Sequence, residues 1–64
     1  MSTIANRILN AREARGLSQR QLAELCGVSE AAVMAYEAGA RIPRDEVKIS
    51  LAKHLGASME SLFC

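Results

Sequence analysis

Four glycines divide this chain, and their surroundings constrain its fold more than any other feature. Gly16, Gly27, Gly39 and Gly56 each close a stretch with helical apolar spacing, and each is followed by an apolar residue: Leu17, Val28, Ala40 or Ala57. Glycine accepts the left-handed conformation that ends a helix, and the apolar residue after it folds back onto the last turn. One position further on stand Ser18, Ser29, Arg41 and Ser58. A serine there caps the next helix by accepting from its free N–H groups. Ser18 with Gln21 three residues later has the form of a capping box.

The stretches between these marks predict five short helices, over about 3–15, 19–25, 30–37, 45–55 and 59–63. Ile4 and Ile8 share a face of the first helix, with Leu9 beside it. Leu22, Ala23 and Cys26 share a face of the second. Val33 and Tyr36 line the third, and Leu51, Ala52 and Leu55 the fourth. Pro43 falls in the connection before the fourth helix, where a missing N–H does no harm. No segment alternates at period two, so the expected fold is all-α.

Composition removes several function classes. The chain has 64 residues, enough for one domain over 1–64 and no separate catalytic or regulatory unit. Its apolar runs are far shorter than the ~20 residues that span a bilayer. Its first residues lack the pattern of a secretory signal. Cys26, Cys64 and His54 stand at unrelated spacings, which argues against a zinc site and a disulfide framework. A reducing cytoplasm is the expected location, with no cofactor, metal or small-molecule ligand. Ser18 and His54 have no third partner for hydrolysis, so an enzyme is not expected. Cys26 reads as a small buried hydrophobe, His54 as a polar residue in the last turn of its helix, and terminal Cys64 as exposed. Tyr36 reads as packed and Met34 as a semi-exposed edge. Leu62 and Phe63 close the core, form a dimer seam, or do both, and a mixture of the two is the expectation.

The segment from Gln19 to Ala38 is the most informative. Its first helix ends at Gly27 and the next begins almost at once, a break tight enough to force a steep crossing. Cys26-Gly27-Val28 supplies an apolar residue, a turn glycine and a second apolar residue directed inward. Ala23 is small enough to let the two helices approach.

Gly16-Leu17-Ser18-Gln19-Arg20-Gln21-Leu22-Ala23-Glu24-Leu25-Cys26-Gly27-Val28-Ser29 resembles the Cro/C1-type (XRE) helix-turn-helix family of repressors and regulators. Tyr36-Glu37-Ala38-Gly39 is similar to the end of that family's recognition helix. Residues 42–46 and 51–58 are similar to its fourth helix and the start of its fifth. The resemblance implies a five-helix lambda-repressor-like DNA-binding domain, with its helix-turn-helix over about 19–38. It implies a sequence-specific transcriptional regulator, a repressor, acting on double-stranded DNA as a homodimer with helix 3 in the major groove. Carried over residue by residue, it puts Gln19 and Arg20 at a phosphate and Ser29, Glu30, Ala31, Met34 and Ala35 on the exposed side of helix 3. Arg41 and Arg44 would meet phosphates on the far side. Arg12 and Glu37 match a structural ion pair. A regulatory protein partner is left open, and no membrane role is expected.

Charge complicates that picture. Residues 1–25 carry a net +2, residues 26–40 a net −2 and residues 41–64 a net +1. The total of +1 is low for a DNA binder. Helix 3 has no Arg, Lys, Asn or Gln, the side chains that grip purine edges bidentately. Glu30 suits a cytosine N4 amine, and Ala31 or Ala35 a thymine methyl. Glu30 equally suits the helix dipole, and the alanines simply favour helix. The alternative is therefore a protein-interaction module, antitoxin- or antirepressor-like, on the same scaffold with little base reading.

Overall fold

The computed structural model describes residues 3–64. Met1 and Ser2, the start of the expected 1–64 domain, lie outside the described residues. Five helices occur in order: α1 (Ile4–Ala14), α2 (Gln19–Cys26), α3 (Glu30–Glu37), α4 (Asp45–Leu55) and α5 (Met59–Phe63), with no strand among the described residues.

The helix ends follow from side-chain chemistry. Thr3, Ser18, Ser29 and Ser58 each accept from the backbone N–H three residues later, so four of the five helices begin on a hydroxyl cap. At α2 the box is complete, because Gln21 Oε1 also accepts from the Ser18 N–H at 2.8 Å. The helix α4 differs: its N-cap is Arg44, which makes no side-chain cap. Arg41, which stands where the other breaks carry serine, leads instead into a non-helical stretch up to Arg44.

The C-terminal ends share one pattern. The N–H groups of Leu17, Val28, Ala40 and Ala57 bond back to the carbonyls of Arg12, Ala23, Ala35 and Ala52 at 3.0–3.2 Å. That is the six-to-one bond of a Schellman turn. Leu17, Val28 and Ala57 then pack against the core, whereas Ala40 is exposed. The inward fold expected of Ala40 does not occur: its break leads into an open loop, whereas Ala57, with the same methyl, leads almost directly into α5.

The core is built from Ile8, Leu22, Ala23, Ala32, Val33, Tyr36, Leu51, Ala52, Leu55 and Leu62. Leu62 is 3% exposed and Phe63 packs partly buried beside the core, so this end of the chain closes the interior. Ala32 is buried as well, a position the sequence pattern did not single out. Cys26 is only half-buried, against the buried position expected of it. It ends α2 at the mouth of an open cleft, which leaves part of its surface in water. Burial raises its thiol pKa, and a hydrogen bond with Ser50 works in the opposite direction. No helix is long and apolar enough to cross a membrane among the described residues.

Candidate nucleic-acid interface

The helices α2 and α3 are joined at both ends. At the turn, Gly27 is left-handed with φ +69° and Val28 returns its N–H to Ala23. At the open end, the Gln19 amide Nε2 donates to Glu37 Oε1 at 2.9 Å, linking the first residue of α2 to the last of α3. Arg12, from α1, completes this junction. Its Nε and Nη2 donate to the two Glu37 carboxylate oxygens at 2.6 and 3.2 Å, and its Nη1 donates to the Leu17 carbonyl at 2.7 Å. The pair is largely covered, with 12% and 5% of the two side chains exposed. The Glu37 hydrogen bond is the main cause that raises the Arg12 pKa above its ordinary value. One carboxylate thus holds three helices in register, and no buried side-chain nitrogen or oxygen lacks a hydrogen-bond partner among the described residues.

The surface this produces has three parts. The first is the beginning of α2. Ser18 caps the Gln21 N–H, which leaves the N–H groups of Gln19 and Arg20 without an acceptor among the described residues. Such groups, with the helix dipole behind them, attract an anion. Arg20 reaches Glu24 only at 4.0 Å, with 78% of its side chain exposed, so its guanidinium is available. Gln19 is half-buried and its amide is already engaged by Glu37.

The second part is the outer side of α3. Ser29, Glu30, Ala31 and Met34 are exposed, Met34 by 51%. Ala35 is not fully exposed as expected but half-buried; it stands in the last turn of α3, and its carbonyl accepts from the Ala40 N–H. The Ser29 hydroxyl caps α3 through Ala32 at 3.1 Å. Its place at the helix start is structural first.

The third part is the loop after α3. The Arg41 guanidinium lies 5.8 Å from the centre of the Tyr36 ring, and Arg44 opens α4. Tyr36, Arg41, Arg44, Glu46 and Cys26 border an open cleft of about 490 Å³ beside the start of α3. The seat of Arg41 on Tyr36 was missed from the sequence, although an aromatic five residues before an arginine across a glycine turn carries the signal. Glu46 was also missed; it adds the one carboxylate among the cleft residues just named. No group of three or more His, Cys, Asp or Glu able to hold a metal occurs among the described residues.

A helix-turn-helix family model, HTH_3, matches residues 8–62, most of the chain. The chain belongs to the Cro/C1-type helix-turn-helix family. Among solved structures, this family member resembles the P22 c2 repressor in complex with a synthetic operator, at 27% identity and a TM-score of 0.93, covering 97% of this chain and 94% of that one. The restriction-modification controller protein C.AhdI from Aeromonas hydrophila is 33% identical with a TM-score of 0.87, covering 94% and 91%. A transcriptional regulator of the HTH_3 family from Vibrio cholerae is 38% identical with a TM-score of 0.82; the match covers 94% of this chain and 34% of that protein. No curated protein matches the sequence significantly. The lambda-repressor-like fold expected from the resemblance is therefore the observed one.

Proposed function

We propose that this chain is a DNA-binding transcriptional regulator, and more specifically a repressor that binds as a homodimer with α3 in the major groove. The observation that carries this is the pinned helix pair: α3 is held at both ends while Glu30 and Met34 stand exposed on its outer side. A rigid exposed helix of that kind fits a groove about 12 Å wide. The likeness to a repressor seated on its operator supports the same reading. Gln19 and Arg20 at the start of α2 and Arg41 and Arg44 after α3 then serve as phosphate contacts on either side of the helix.

Two copies follow from size. The molecule is 26 Å in its longest extent, short of the ~34 Å between half-sites one helical turn apart. One chain reads one half-site. Exposed Ile49 and Met59, on α4 and α5, supply apolar surface for pairing. With no base-gripping Arg, Lys, Asn or Gln on α3, phosphate contacts carry most of the affinity.

The test is affinity for duplex DNA, including the DNA upstream of its own coding sequence, against salt. A negative slope of log K on log salt is expected, and a flat line overturns the proposal. Chemical shifts should move on α2 and α3 when DNA is added. Changes confined to α5 favour the interaction-module alternative.

A further inference from the structure

We propose that α3 selects cytosine carrying a C5 methyl group over both unmodified cytosine and thymine, a specificity that rests on the docking of α3 proposed above. The exposed side chains of this helix offer one carboxylate next to apolar carbon and nothing else. Ser29 is committed to its cap on Ala32. Glu30 and Met34 are neighbours at i,i+4, and Ala31 and Met34 at i,i+3, so each pair has its Cβ atoms about 5–6 Å apart on one side of the helix. Met34 is 51% exposed. Glu30 forms no ion pair among the described residues, so its acceptor oxygens are open to a base.

The major-groove edges of the pyrimidines differ at two adjacent places. Cytosine presents an N4 amine donor and a bare C5–H. Thymine presents an O4 acceptor and a C5 methyl. A carboxylate accepts from the amine, whereas against O4 two acceptors face each other and both lose water without a partner. Apolar carbon gains from covering a methyl and gains little from C5–H. Glu30 therefore favours cytosine over thymine, while Met34 and Ala31 favour the methylated ring over the bare one. The base that answers both demands is 5-methylcytosine.

The test uses duplexes selected by the full chain from an unmodified random pool, then resynthesised with single cytosines replaced by 5-methylcytosine or by thymine. Titrations at one fixed salt concentration give the affinity of each. Methylation of at least one cytosine per half-site should strengthen binding about fourfold, the factor that burial of one methyl-sized group brings. Thymine at that position should bind more weakly than cytosine. In Met34→Ser the methylation gain should largely vanish, and in Glu30→Gln the penalty for thymine should fall because an amide can donate to O4. Both positions are exposed, and thermal melts of the variants check that the fold is kept. Methylation that is neutral or unfavourable at every cytosine, or a full gain retained in Met34→Ser, overturns the inference. A pool that yields no duplex bound with salt dependence overturns the docking of α3 itself, so the two failures are distinct.

Discussion

The Glu37 carboxylate has 5% of its side-chain surface exposed and accepts from both Arg12 and Gln19, so its two donors separate two kinds of loss. Arg12→Ala strips a covered carboxylate of its cation and the Leu17 carbonyl of its donor. Removing one member of a buried pair costs about 3–5 kcal/mol. A core of this size supplies roughly that much stability in total. The expected result is a substantially unfolded chain at 25 °C, seen as loss of the cooperative urea transition by circular dichroism. Gln19→Ala removes a single hydrogen bond to a charge and should cost about 1.5–3 kcal/mol, less than Arg12→Ala, with the transition retained. Equal effects of the two would contradict a structural role centred on the Arg12–Glu37 pair. Cys26 gives a second test at this scale. Burial raises its thiol pKa above 9.0, so the folded state prefers the neutral thiol. Such a group stabilises fully below the unfolded pKa, and that contribution is lost as pH rises from about 9.0 toward the folded value. Stability of the native chain should therefore decline more steeply above that pH than that of Cys26→Ala. Alkylation should also reach exposed Cys64 before Cys26, because the thiolate is the reacting form.

The helix boundaries were legible where the breaks carry local chemistry. A glycine that turns left and a serine that caps report themselves without tertiary information: serines mark the starts of α2, α3 and α5, glycines follow the ends of α1 to α4, and α3, α4 and α5 run over the expected residues. The first two helices differ by one residue at three limits: Thr3 is itself the cap that precedes Ile4, Arg15 takes the cap position after Ala14, and Cys26 fills the last helical place before Gly27. What was not legible lies between Ala38 and Arg44. No serine caps α4, Ala40 opens a loop instead of folding inward as Ala57 does, and Arg41 finds Tyr36 through that loop, whose path depends on the rest of the fold. The half-burial of Ala35 belongs to the same region. The turn glycines allow a direct test at the level of the element. Gly27 has φ +69° with open space where a side chain would begin, so Gly27→Ala meets only backbone strain, about 1–2 kcal/mol. Gly56 has φ +64°, and an added Cβ would lie 2.7 Å from the Arg15 guanidinium. That contact involves the flexible end of an exposed side chain, so Gly56→Ala should cost about the same and displace Arg15. Denaturant midpoints of the two variants check this. A Gly56→Ala loss several times larger would mean that Arg15 is fixed in place.

At the scale of the whole molecule, a net charge of +1 cannot draw the chain to DNA over a distance, and the stretch containing α3 is negative on its own. Attraction has to come from the few cations that reach phosphates at close range. Three are proposed for this in each chain: Arg20, mostly exposed at the start of α2, with the exposed Arg41 and Arg44 after α3. In the proposed homodimer on a two-fold site, counterions should be released from about six phosphates, for a slope of log K against log salt near −5. Arg41 and Arg44 share one cleft with Glu46, and Arg41 is additionally seated against the Tyr36 ring, which restricts its side chain. Arg41→Ala should therefore shrink the slope by about 1 for each phosphate left without its cation and weaken all sequences alike, while Arg44→Ala should do less of both. Fluorescence-anisotropy titrations across a range of salt measure both quantities. If Arg41→Ala changed base preference and left the slope intact, Arg41 would be reading an edge, and the division between phosphate contacts around α3 and base contacts on it would have to be redrawn.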